Sequence, residues 1–147
     1  KDLPILPSNA PTLLRALGLL HRDASMPPPQ VRKFLQLNHM IRLLRPPLLE
    51  LIERGEPLRL VDAGCGLSYL TLSLAWCFRH VFRHPATLVG IDRDAARVAA
   101  GRATAAQLGL EEMLTFQAGS IESFEPNGKL HAILSLHACD TATDDAI

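Results

Sequence analysis

Asp62, Gly64, Cys65 and Gly66 stand in the run VDAGCGLSYL, residues 61–70, between two apolar stretches. Glycines one residue apart remove Cβ atoms that keep a ligand off the backbone, and they open turn dihedrals closed to other residues. Where a strand passes into a helix, such a turn also presents the free N–H groups of the helix's first turn. A second apolar run, TLVGID, ends in Asp92. A carboxylate at the end of a neighbouring strand can reach the same crevice and accept hydrogen bonds from both hydroxyls of a ribose. The competing reading of Asp92 is a cap for the helix RDAARVAA, a job that Asp94 can take equally.

These residues need elements to hold them. Residues 1–57 read as a helical front piece. TLLRALGLL forms a short helix there, with Ser8 or Asn9 as its cap and Pro11 in its first turn. HRDASMPPP is a non-helical linker. In residues 30–44, Val31, Phe34, Leu35, Leu37, Ile41 and Leu44 fall near helical spacing. Pro46-Pro47 is expected to break that helix, leaving LLELIERG as a shorter one with Gly55 at its C-terminal cap. From residue 58 the rhythm changes. PLRLVDA, TLVGID, MLTFQAG and LHAILSL read as strands, with helices SYLTLSLAWCFRHVF and RDAARVAAGRATAAQLGL between the first three. A last helix is expected after Asp140 or Thr141. Strands alternating with helices imply a parallel α/β sheet covered on both faces, with right-handed crossovers.

Composition narrows the classes. The 147 residues are 48% hydrophobic and 20% charged, as in a globular domain. No apolar stretch reaches the ~18 residues of a membrane span. Cys65, Cys77 and Cys139 have no metal-ligand spacing, so no metal site is expected, and reduced thiols suit a cytoplasmic protein. Net charge is zero but unevenly placed. Residues 1–60 hold nine Lys/Arg against five Asp/Glu, and residues 61–147 hold six against ten. A basic front end suits an anionic partner such as RNA, or is simply a helix surface. The chain begins at Lys1, without a methionine, as a processed or trimmed piece would.

VDAGCG followed by GID resembles the first two motifs of the class I S-adenosylmethionine-dependent methyltransferases. The family pattern is an acidic residue followed by x-G-x-G-x-G. Asp62, Gly64 and Gly66 match it, and Ser68 stands at the third glycine position. The resemblance implies a Rossmann-like sheet of order 3-2-1-4 in this chain, with residues 58–147 as the cofactor-binding core. It also implies that Gly64, Cys65 and Gly66 pass close to the methionine part of S-adenosylmethionine, that Asp92 holds the ribose, and that Arg93 lies near the adenine. Ser120 stands where the family often has an acidic residue for the adenine amino group, with Ile121 beside the ring; a simple turn is the alternative. In many relatives an element ahead of the glycine motif closes over the cofactor's carboxylate, a role open to Asn38 or His39, against plain surface exposure.

The family presents its methyl acceptor at the end of the fourth strand. SLHACDTATDD departs there from the D/N-P-P-Y/F/W pattern of amino-methylating enzymes, and LHACDTATD is similar to a little-characterised group of methyltransferase-domain proteins. His137 is a candidate general base, because an imidazole titrates near neutrality. It can equally line the cofactor or bond a loop. The acceptor stays unidentified, with RNA favoured by the basic front end. Two other functions compete. A non-catalytic module that senses S-adenosylmethionine or contacts a protein keeps the same fold. A nicotinamide-dependent oxidoreductase needs a glycine where Tyr69 stands. The resembled family's sheet has seven strands, so strands five to seven are expected to be missing here. The fourth strand then has an open edge, to be covered by further chain or by a partner.

Overall fold

The computed structural model describes residues 4–125 and 128–134. The front piece holds α1 (Pro11–Ala16) and α2 (Pro28–Glu53). Ala10 caps α1 without a side-chain hydrogen bond. The expected cap Asn9 instead accepts the Leu6 N–H at 2.8 Å, closing the turn before the helix. Ser8 is exposed.

The expected break at Pro46-Pro47 is absent: α2 is one helix of 26 residues with both prolines inside it. Proline removes a donor from the carbonyl four residues back. Here those carbonyls belong to Arg42 and Leu43, which are exposed like the prolines themselves. Water can therefore satisfy the freed groups. Buried Ile41 and Leu48 hold the inner face on either side. Gly55 follows the helix with φ 86°, as its capping role requires.

The strands are β1 (Leu58–Ala63), β2 (Ala86–Asp92), β3 (Leu114–Ala118) and β4 (Ala132–Leu134). All pairings are parallel, in the order β3-β2-β1-β4, and helices flank the sheet. This is the expected Rossmann-like architecture. Between β1 and β2 runs α3 (Tyr69–His80), and between β2 and β3 runs α4 (Ala95–Gln107). The register pairs Asp62 with Gly90 and Asp92 with Ala118, so the carboxyl ends of three strands finish together.

One cluster of buried side chains joins front piece and sheet, from Ile5 and Leu13 through Phe34 and Ile41 to Leu60, Phe78 and Phe116. Phe116 fixes the distance between α4 and the sheet. A Cβ added to Gly90 on β2 or Gly101 on α4 would lie 2.7 Å or 2.9 Å from its ring. Only glycines let α4 sit that low, and α4 follows directly on the end of β2 that carries Asp92. The expected helix after Asp140 or Thr141 lies outside the described residues.

Candidate functional site

The turn after β1 is shaped by its backbone. Gly64 has φ 70°, Gly66 φ 57° and Ser68 φ 68°. All lie in the left-handed region that glycine enters freely and other residues enter at a cost. The positions at which the family pattern puts glycine are therefore the positions that need a positive φ. Ser68 meets the need without being glycine. It is fully buried, and its hydroxyl reaches the Cys65 thiol at 3.6 Å. Its side chain does not cap α3.

Asp92 binds this turn to the next strand. Its Oδ2 accepts the Gly66 N–H at 2.8 Å, and its Oδ1 accepts the Asp94 N–H at 2.8 Å. The Asp92 carbonyl takes the Gly119 N–H at 2.9 Å, which ties in the end of β3. The turns after three strands thus converge on one half-buried residue. The competing reading of Asp92 as a helix cap falls away, because Asp94 does that work. Its Oδ1 accepts from Ala96 N at 2.9 Å and Arg97 N at 3.4 Å.

Asp62 sits beneath the turn, 2% exposed. The Thr71 hydroxyl, in the first turn of α3, donates to its Oδ2 at 2.5 Å. Burial pushes the carboxyl up to about 6, the Thr71 hydrogen bond pulls it down, and the nearby Asp92 adds to the rise. Asp62 therefore braces the turn from below. Cys65 is likewise turned into the core, with no exposed surface. Its N–H donates to the Ile91 carbonyl at 2.9 Å, and burial pushes its thiol up to about 11. Such a thiol is no nucleophile near neutral pH.

The crevice rim is more open. Arg93 is exposed, Ser120 half-buried and Ile121 exposed. Ser120 opens a short 3-10 turn, Ile121–Ser123, and its carbonyl accepts the Ser123 hydroxyl at 2.9 Å. Leu67, at the tip of the glycine turn, is 58% exposed.

The front helix gives its two candidates different fates. Asn38 has no exposed surface, and its amide is spent. Its Oδ1 accepts the Ile5 N–H at 2.9 Å, and its Nδ2 donates to the Phe34 carbonyl at 3.0 Å. It pins the N-terminal arm to α2, which corrects its expected place at the cofactor. His39 is exposed. α2 does reach the site's neighbourhood, since Lys33 Nζ lies 5.9 Å from the centre of the Tyr69 ring at the start of α3. Sequence reasoning missed both Thr71 and Lys33. A hydroxyl nine residues after a buried acid was the available signal for Thr71. His137 and Cys139 lie outside the described residues.

A parallel sheet with a glycine turn after one strand and a carboxylate ending the next defines a Rossmann-like domain of the nucleoside-cofactor type. A family model described as a methyltransferase domain matches residues 32–147, and the chain belongs to that family. Membership places it with the methyltransferase domains rather than with the nicotinamide-dependent oxidoreductases. No curated protein matches the chain. Among solved structures, the CMeT domain of the citrinin polyketide synthase is 22% identical, with a TM-score of 0.53 over 74% of this chain and 31% of that one. This likeness supports the fold. A geranyl diphosphate methyltransferase is 21% identical over 88% of this chain and 49% of that one, with a TM-score of 0.49. A Geobacter sulfurreducens methyltransferase is 19% identical over 94% and 39%, with a TM-score of 0.45. The chain therefore spans about half or less of the length of each of these structures.

Proposed function

We propose that the crevice at the carboxyl ends of β1, β2 and β3 holds S-adenosylmethionine, and that the protein transfers its methyl group to an acceptor, with RNA as the favoured class. The observation that carries the cofactor reading is the position of Asp92, bonded to Gly66 N and Asp94 N. Each carboxylate oxygen has two lone-pair sites. With one used on each oxygen, one remains on each for a ribose hydroxyl. The backbone of Gly64 and Gly66 lies along the methionine part, Arg93 and Ser120 flank the adenine, and the apolar side chains of Leu67 and Ile121 offer it contact surface. Asp62 and Cys65 serve by shaping the turn. His39 keeps its assignment as a candidate for the cofactor's carboxylate. His137 keeps its assignment as candidate general base.

The bound sulfonium supplies an activated methyl group. What the chain contributes is alignment and water exclusion. RNA is favoured because α2 exposes Arg32, Lys33, Arg42 and Arg45 and has no acidic residue before Glu50. The non-catalytic alternative predicts the same cofactor affinity without turnover. No helix among the described residues is long and apolar enough to cross a membrane. A cytoplasmic location is part of this proposal.

Calorimetric titration with S-adenosylmethionine and S-adenosylhomocysteine tests the site, with NAD as control. Asp92→Ala is expected to weaken binding by on the order of 100-fold, the worth of two hydrogen bonds to a charged acceptor. Binding unchanged in Asp92→Ala overturns the assignment. For the acceptor, a short single-stranded RNA should bind with an affinity that falls as salt rises. Salt-independent binding counts against the α2 arginines.

A further inference from the structure

The strands have a second end, and a cavity of about 1080 Å³ opens there. Leu58, Phe78, Ala86 and Met113 line it at the starts of β1, β2 and β3 and the end of α3. Leu58 and Phe78 are fully buried, so this part of the lining is apolar and fixed. Arg59, Arg79 and Arg83 also line it. β1 is six residues long, so the cavity lies roughly 15–20 Å from the glycine turn. A ligand here is out of reach of a methyl donor at the other end.

Two features of the cavity's lining bear on what it binds. Arg83 is held at φ 53°, exposed, in the left-handed region. Glycine would serve that backbone better, and arginine there costs roughly 1–2 kcal/mol. That conformation closes α3, because the next residue's N–H, His84 N, donates to the Phe78 carbonyl at 3.0 Å, so the turn itself asks for no side chain and the arginine is surplus to it. Second, Arg59 Nε is buried with no hydrogen-bond partner among the described residues. A buried donor left unpaired is costly, so a ligand acceptor that reaches Nε would gain there.

The charges nearby point to the acceptor's sign. Of the two lining carboxylates, Glu56 is already engaged by His131 Nε2 at 2.9 Å and Lys129 at 3.5 Å. His131 Nδ1 accepts the Arg59 backbone N–H at 3.0 Å, so Nε2 carries the ring proton and donates to Glu56. Glu112 also lines the cavity, against three arginines. Arg79 spends one N–H on the Gly109 carbonyl at 2.6 Å, capping the end of α4. Arg83 and Arg59 keep donors to give.

We propose that this amino-end cavity binds a small organic anion, its apolar body against Leu58, Phe78 and Met113 and its carboxylate, sulfonate or phosphate on Arg83 and Arg59. The site is separate from the cofactor crevice and stands or falls independently of it. Its volume is that of a drug-sized pocket.

The probe is 8-anilinonaphthalene-1-sulfonate, an aromatic body with one anionic head, titrated into the 147-residue chain by fluorescence. The expected result is one saturable site, about tenfold weaker in Arg83→Gly and unaffected by saturating S-adenosylmethionine or by Asp92→Ala. Arg83→Gly puts glycine where the backbone favours it, so its fold should survive, as a melting curve will check. Thr87→Trp, at an exposed lining position, should fill the cavity and also abolish binding without removing a charge. Dye affinity unchanged in both variants overturns the proposal. So does displacement by S-adenosylmethionine, which would put the dye in the cofactor crevice, or the lack of any saturable site.

Discussion

The two ends of this sheet solve opposite problems with the same backbone conformation. At the carboxyl end, residues 64, 66 and 68 take a positive φ, and two of them are glycine. There the chain withdraws its side chains so that a ligand can lie on the backbone. At the amino end Arg83 takes the same conformation with the longest of side chains. There the turn that ends α3 carries a charged side chain at the rim of a cavity. The surrounding charge differs as well. Asp62 and Asp92 crowd the carboxyl end, close enough that Asp92 raises the Asp62 carboxyl. Arginines dominate the amino end. Bare backbone with fixed carboxylates suits a hydroxyl-bearing, cationic cofactor, and an apolar hollow with guanidiniums suits an anion.

The largest expected effect separates the ends by pH. The Asp62 carboxyl lies at about 6 in the fold against an ordinary 3.8. Between those values the folded chain keeps a proton that the unfolded chain has lost. Stability from this group is thus fully present below about pH 4, falls as pH rises through the window, and levels off above about pH 6. The loss is on the order of 3 kcal/mol. Asp62→Asn keeps an acceptor for Thr71 and removes the titration. Urea unfolding at intervals from pH 4 to 7 should show the variant gaining on the parent chain through that window. A constant difference between the two would mean that Asp62 is not strained by burial, and the contrast in charge between the ends would lose its sharpest support.

Next in size is Gly66→Ala. A Cβ at φ 57° costs roughly 1–2 kcal/mol and projects from the turn proposed to face the cofactor. Both thermal stability and S-adenosylmethionine affinity should fall. Stability lost with affinity kept would mean that the glycine serves the turn alone. Asp94→Ala comes third, at about 1 kcal/mol, the usual worth of a side-chain cap. It should lower the melting temperature while leaving cofactor affinity within a few-fold, because the Asp94 contact to Asp92 is made by the backbone.

Much of the carboxyl end was legible in the sequence because its signals are local. Glycine spacing, a strand closing on an acid and four alternating elements all sit in short windows. Strand order followed from the family resemblance, and the structure has it. What failed depended on which way a residue faces. Pro46-Pro47 is tolerated in α2 on an exposed face where water reaches the freed carbonyls, and a single sequence does not say which face that is. Asn38 looked like a polar group on offer, but its partner Ile5 comes from 33 residues away in the chain. The amino-end cavity left no signal, since its walls come from residues 56–59, 78–80, 83–87 and 112–113. Its arginines read separately as surface charge.

The smallest effect tests the comparison most directly, because it makes the same change at both ends. Ser68→Gly and Arg83→Gly each relieve a left-handed residue, a gain of roughly 1–2 kcal/mol, and each pays the added chain entropy of glycine, about 0.5–1 kcal/mol. Ser68→Gly also loses the hydroxyl contact to Cys65 in a fully buried place, so it should come out near neutral. Arg83 is exposed and has no such contact among the described residues, so Arg83→Gly should raise stability by about 0.5–1 kcal/mol. Stability gained by deleting an arginine, together with anion binding lost, is the signature of a residue kept for its ligand. If Arg83→Gly is destabilising instead, the arginine is holding the fold, and the amino end is an ordinary turn beside a hollow.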